Sequence, residues 1–208
     1  DYEQPYMKVN SAIRATEEIP FYALHSSGFF EPTLHQATSL VKHLCISHVA
    51  NPTFSIIIPS YNNFHLTVAC IHSILHTTLT TTQYEIIVAD DHSEQPQYSL
   101  LADIPNLNYI RSHANVGFAK TCNRAAATAR GSILLFLNND AQPHRNWLTW
   151  LQHSLSNANT GICGPKLLNL DGSLQEAGCQ LTAKGDAVMV GHGHDPNHPS
   201  YSFERHVD

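Results

Sequence analysis

The stretch FSIIIPS, Phe54–Ser60, carries three consecutive isoleucines and ends on Pro59 and Ser60. Its length suits a strand, and its apolar residues do not alternate with polar ones. A strand of that kind has both faces covered, which is the habit of a parallel sheet. Downstream, HLTVACIHSILHTT places apolar residues at 66, 68, 71, 74 and 75, along one helical face. The alternation then repeats. YEIIVAD (84–90) reads as a second buried strand and LNYIRS (107–112) as a shorter third. GFAKTCNRAAATAR (117–130) is Ala-rich and helical, closed by Gly131 as a C-cap. SILLFLN (132–138) reads as the fourth strand, and PHRNWLTWLQHSL (143–155) as a helix with Pro143 near its first turn. Strands alternating with helices predict an α/β fold, a mostly parallel sheet flanked by helices.

In such sheets ligands gather at the C-terminal ends of the strands. Those ends carry Pro59-Ser60-Tyr61-Asn62, Asp90-Asp91-His92-Ser93 and Asn138-Asn139-Asp140. Any one of them would be an ordinary polar loop. Three on one edge make a candidate site. Carboxylates repel a diphosphate directly but can hold it through a shared divalent cation. No GxxxxGK[ST] loop, GxGxxG turn or GxSxG elbow occurs, which disfavours a P-loop NTPase, a dinucleotide-binding site and a nucleophile-elbow hydrolase.

The bulk composition narrows the partners. The 208 residues carry a formal net charge of -6, so broad attraction to nucleic acid is not expected. Only 13% are charged and 42% are apolar, enough for a sizeable core. The five cysteines, at 45, 70, 122, 163 and 179, form no CxxC pair, which argues against a disulfide framework and a structural zinc site. A cytoplasmic setting follows, with peripheral membrane association compatible with it. No apolar run reaches the roughly 18 residues of a membrane span. The opening residues show no signal-peptide pattern and no initiating Met, so a longer parent protein is expected.

Residues 1–52 differ from the rest, with scattered Pro and His and one helical pattern around Leu34–Leu44. They read as an extension that packs on, or leads into, a main domain over 53–208. Past residue 160, a Gly-Pro break and the Asp171-Gly172 turn predict a hairpin-like excursion. His192, His194, Asp195 and His198 lie close together, but their Gly- and Pro-rich setting favours a solvated loop over zinc. Trp147 and Trp150 are read as core, with sugar stacking a secondary alternative.

The blocks FSIIIPSYNN, YEIIVADDHSEQ, NVGFAKTCNRAAATARGSILLFLNND and GPKLLNLDGSLQEAG, in this order, resemble family 2 glycosyltransferases of the GT-A fold, over about residues 53–208. The resemblance implies inverting transfer of a sugar from a nucleotide-diphospho-sugar donor to a saccharide or glycan-lipid acceptor of a cell-surface polymer. It implies nucleotide contacts from Pro59, Tyr61, Asp90 and Asp91, with Asn115, Gly117, Asn123 and Asn139 in the same wall and Lys120 near phosphate. NND takes the place of the family's DxD motif. Asp140 would then bind Mg2+ or Mn2+, with Asn138 standing where many members have the first Asp. The family's general base lies in a later segment than the chain reaches at Asp208, so no base is assigned. Glu176 and Asp208 qualify on chemistry alone. Two rivals stand beside this reading. One is a donor-binding module without turnover. The other is a nucleotidyltransferase, which PSYNNFHL disfavours because it is neither Gly-rich nor basic.

Overall fold

The computed structural model of the protein describes residues 29–201. The opening part of the expected extension, the tail of the His-rich loop and Asp208 lie outside the described residues.

Four parallel strands form the central sheet: β1 (Phe54–Ser60), β2 (Tyr84–Asp90), β3 (Asn108–Arg111) and β4 (Ile133–Phe136), in the order β3-β2-β1-β4. Side chains alternate across a strand, and in β1 and β2 both faces find cover, whereas β4 leaves Leu134 and Phe136 exposed on one face, against the expectation of two covered faces. Ile56 and Ile58 of β1 and Ile86 and Val88 of β2 join one core layer, with α1 (Leu34–Leu40) and α2 (Phe64–Thr77). Ile57, Ile87 and Ala89 join the other, against Ala125 of α3 (Phe118–Ala126). This is why the strand sequences are apolar without alternation. Each buried isoleucine contributes about 2 kcal/mol to the folded state.

The described part of the extension belongs to the same core. Ala37, Leu40, Val41, Leu44 and Ile46 are buried in the α2-side layer. The start of α1 is secured by a capping box in which Thr33 accepts from the Gln36 backbone N–H and the Gln36 side chain accepts from the Thr33 N–H. The helix runs only to Leu40 and continues as a 3-10 turn, Val41–His43.

β1 and β2 have the predicted bounds, whereas several other elements are shorter. β4 ends at Phe136, and α3 stops at Ala126. Gly131 is therefore not a helix cap. A Cβ there would lie 2.6 Å from both the Phe54 carbonyl carbon and the Ser55 nitrogen, so glycine is needed for a close approach to β1. α4 (Trp147–Leu155) begins four residues beyond Pro143, because Asn146 sits in the left-handed region (φ 64°) and its N–H bonds Thr77 O at 3.0 Å. A 3-10 segment, Pro96–Asp103, follows β2 in the chain, buries Tyr98 and Leu101 in the α2-side core and has no counterpart in the sequence pattern. The excursion consists of two antiparallel pairs, β5 (Leu167–Leu168) with β6 (Leu174–Glu176), and β7 (Cys179–Leu181) with β8 (Ala187–Met189). The first closes on Asp171-Gly172, where Asp171 Oδ1 accepts from Ser173 N at 2.9 Å and Gly172 takes φ 85°. No helix among the described residues is long and apolar enough to cross a membrane.

Candidate functional site

The sheet register sets Ser60 beside Asp90 and Asp90 beside Arg111. Asp90 is completely buried. Its Oδ2 accepts from Arg111 Nη1 at 2.6 Å and from the Tyr109 hydroxyl at 2.7 Å, and its Oδ1 from Ser93 N at 2.7 Å. Arg111 Nη2 also donates to Ser93 O at 2.7 Å, closing the loop after β2 onto β3. Burial, reinforced by Asp90, pushes the Tyr109 phenol far above its ordinary range, so it remains a donor. Asp90 thus faces inward, away from the surface where a nucleotide contact was expected.

Asp91 lies at the rim of the same edge, 5% exposed. Its Oδ1 accepts from Val116 N at 2.9 Å and its Oδ2 from Gly117 N at 2.8 Å. Burial works against the charged form. The two backbone N–H groups outweigh it and hold the carboxyl below the usual carboxylate range. Each oxygen keeps capacity for a further donor. Gly117 carries φ 87°, a turn conformation that favours glycine, and opens α3.

At the end of β1, Pro59 is buried within the strand and Tyr61 is 45% exposed. Asn62 and Asn63 both take positive φ, 56° and 55°, which asparagine tolerates best among residues with side chains. Asn62 N donates to Ser93 Oγ at 2.8 Å, and its Oδ1 accepts from Glu94 N at 2.9 Å. Phe64 N, at the start of α2, donates to Gln95 Oε1 at 2.8 Å. His92 (φ 68°) sets its Nδ1 3.2 Å from Ser112 O, which fixes the proton on that nitrogen while the ring is neutral.

Beyond β4, Asn138 and Asp140 are exposed. Asn139 turns inward, donating from Nδ2 to Thr67 Oγ1 at 3.0 Å. Among the described residues the Asp140 carboxylate has no hydrogen-bond or ion-pair partner. Burial, and secondarily the Asp140 charge, push the Cys70 thiol far up. The donor set for a cation is oxygen from one carboxylate, with an amide oxygen two residues before it. No group of three His, Cys, Asp or Glu fit for a metal occurs among the described residues. That set fits a hard divalent cation that keeps water and takes diphosphate oxygens for the rest of its shell.

Asn115 and Lys120 are exposed at the loop and first turn of α3. Asn123 is exposed further along α3, roughly 8 Å of helix rise from Phe118. Trp147 packs on the core and donates from Nε1 to Thr78 Oγ1 at 3.0 Å, whereas Trp150 is 69% exposed. His192, His194, Asp195 and His198 lie on surface turns. Glu176 is half-buried in β6, opposite Leu167. The residues missed from sequence are Thr67, Tyr98, Tyr109 and Arg111, which fasten the site together with Asn62 and Ser93 of the strand ends.

The sequence profile of "Glycosyl transferase family 2" matches residues 55–177, more than half of the chain and all three strand ends. The chain belongs to glycosyl transferase family 2. This family 2 domain, with its parallel sheet and helices on both faces, has the GT-A-type architecture. It is 32% identical over 124 residues to human polypeptide N-acetylgalactosaminyltransferase 14, covering 58% of this chain and 22% of that protein. It is 28% identical over 119 residues to glycosyltransferase AglE of Haloferax volcanii, covering 54% and 38%. The chain therefore spans well under half the length of these curated relatives. A solved mannosyltransferase of Pyrobaculum calidifontis, in complex with GDP-Man and Mn2+, superposes with a TM-score of 0.48 at 22% identity, over 61% of this chain and 40% of that one.

Proposed function

We propose that the chain holds a nucleotide-diphospho-sugar at the C-terminal edge of its sheet and takes part in inverting transfer of a hexosyl or deoxyhexosyl unit to a saccharide or glycan-lipid acceptor. The observation that carries this is the convergence of Tyr61, Asp91 and Asp140 on one edge of a family 2 parallel sheet. Asp91, charged and at the rim, accepts from a nucleoside N–H or O–H. Charge-assisted bonds of this kind are the stronger ones. The exposed Tyr61 ring offers a face for the base. Gly117 brings the positive end of α3 to the same wall, with Asn115 and Lys120 beside it. Asp140, with Asn138, holds Mg2+ or Mn2+. When bound, the cation neutralises charge on the departing nucleoside diphosphate. Asp90 serves as the internal anchor, and its bonds to Arg111, Tyr109 and Ser93 hold the loop that carries Asp91. The setting proposed is cytoplasmic, at or near a membrane surface.

Calorimetric titration with UDP, dTDP and GDP, each with Mn2+, tests this. One of the three binds, and Asp140→Ala reduces its Mn2+-dependent affinity about tenfold or more. Failure of all three to bind overturns the reading. Asp90 and Asp91 are engaged by protein donors and Asp140 is given to the cation. None of these three carboxylates is left to serve as a base, which favours a second reading, donor binding without turnover. A donor-hydrolysis and transfer assay separates the two, because any turnover by this chain refutes the second.

A further inference from the structure

Asn139, Thr67, Tyr98 and Asn62 come from four parts of the fold: the loop after β4, helix α2, the 3-10 segment and the end of β1. Their polar atoms form an unbroken hydrogen-bonded chain. Asn139 Nδ2 lies 3.0 Å from Thr67 Oγ1, the Thr67 and Tyr98 hydroxyls are 2.9 Å apart, and the Tyr98 hydroxyl meets the Asn62 carbonyl, which Asn139 Nδ2 also approaches at a longer 3.5 Å. Counting protons fixes its direction. A carbonyl cannot donate, so the single Tyr98 proton goes to Asn62 O. The Thr67 proton then goes to Tyr98 Oη, which leaves Thr67 Oγ1 to accept from Asn139. Only the amide nitrogen can donate there, so the chain also sets which way the Asn139 side chain faces.

Thr67 and Tyr98 are completely buried, and the Tyr98 ring packs edge-on against Phe64 with centroids 5.7 Å apart. In such surroundings linked hydrogen bonds reinforce one another, and an unpaired member is costly. At Asn62 the chain forks into the loop after Asp91, through Ser93 Oγ and the Glu94 N–H. At its other end Asn139 directly precedes Asp140. The chain therefore connects the nucleoside end of the candidate site to its cation end, through the interior and without touching a ligand.

We propose that this buried chain is the spacer of the donor site, with Thr67 and Tyr98 as positioning residues that set how far the Asp91–Tyr61 end stands from the Asp140 end. The proposal rests on the donor-site reading above. A diphosphate that must meet a nucleoside wall and a cation together gains affinity only when the two are correctly spaced, as with any two-point ligand. Loss of the chain should then reduce the gain in affinity that the metal brings, while nucleotide binding without metal stays as it was.

The test uses Thr67→Val, Thr67→Ser and Tyr98→Phe, in the full chain. Each is titrated with the nucleotide that the wild type binds among UDP, dTDP and GDP, with and without Mn2+, and thermal unfolding is recorded alongside. Thr67→Val and Tyr98→Phe lose about tenfold of the Mn2+ enhancement and keep metal-free affinity within about twofold. Thr67→Ser, which retains the hydroxyl, behaves as wild type. The proposal is overturned if Thr67→Val keeps the full enhancement, or if it weakens binding equally with and without metal, the mark of a merely structural role. Should Tyr98→Phe fail to fold, the two Thr67 variants decide alone. A wild type that binds none of the nucleotides refutes the donor-site reading and this inference with it. Binding by the wild type with unchanged variants refutes only the spacer.

Discussion

Asp90 and Asp91 are adjacent in sequence, yet their carboxylates meet opposite surroundings. The reason is the strand's alternation: one side chain enters the packed interior, and the next reaches the α3 side. Asp90 is met by a guanidinium, a phenol and a backbone N–H, and Asp91 by two backbone N–H groups at the start of a helix. The sequence shows that both belong to a strand end. It does not show which one faces inward, because that depends on the parallel register that brings Arg111 beside Asp90. Likewise Tyr109 and Arg111 read only as strand residues until the register is known. Asn62 is visible in sequence as part of a polar strand end, but its fastening part is not, since that is played largely by backbone atoms in a left-handed conformation. Asp90→Asn keeps the shape but removes the charge that three donors share. Arg111 is partly exposed and can recover water, which limits the loss. A destabilisation of about 2–3 kcal/mol is expected in denaturant unfolding, since a buried charge network is broken on one side only. A change below about 0.5 kcal/mol would show that the network is not what holds this loop.

The elements that match expectation are those whose pattern is set by local chemistry. β1 and β2 are long apolar runs with polar ends, and α2 has a clear apolar face. The mismatches arise where tertiary contact decides the boundary. α4 begins where Asn146 docks onto the end of α2, not where proline would allow a first turn. Glycine commonly follows helices, so in sequence Gly131 has the look of a cap. Its actual neighbours are the first residues of β1, and its N–H donates to Ser55 Oγ at 2.8 Å. Ser55 Oγ in turn donates to Glu85 Oε1 at 2.6 Å, and Glu85 also pairs with Arg130. The base of the sheet is thus held where β4 enters beside β1. Gly131→Ala must push Ala Cβ into backbone, not into a flexible side chain. The expected cost is about 2–3 kcal/mol, as for other overpacked buried sites. Urea unfolding measures it, and a loss under about 0.5 kcal/mol would mean that β4 can shift away freely. The 3-10 segment is not legible because its two buried residues, Tyr98 and Leu101, make only one i, i+3 pair.

At the scale of the whole molecule, stability should fall with acid in two stages set by different buried groups. His72 lies on α2 against Phe30, with ring centroids 5.4 Å apart, and stacks on His76 at 3.9 Å. Burial, and then the neighbouring His76, lower its pKa from 6.5 to about 4. In the unfolded chain it protonates near 6.5, so between 6.5 and about 4 the unfolded state binds more protons than the native state. Stability therefore declines as pH falls through that window, by about 3 kcal/mol at the upper limit. Asp91 and Glu85 act lower. Burial opposes the charge on each, but backbone N–H groups hold Asp91 down, and Ser55 with Arg130 holds Glu85 down. Their contribution is complete above the ordinary carboxylate pKa and is lost as pH falls through the depressed native values. Guanidinium unfolding at intervals from pH 7.5 to 3 should show both stages. His72→Phe fills the same space beside Phe30 without a titrating nitrogen, so it should flatten the stage between pH 6.5 and 4.5 and leave the lower one in place. Glu85→Gln should leave the upper stage in place and shrink the lower one to the share that Asp91 supplies. If wild type and His72→Phe decline in parallel from pH 6.5 to 4.5, His72 is not held neutral between α2 and Phe30, and the packing of residue 30 against that helix would have to be redrawn.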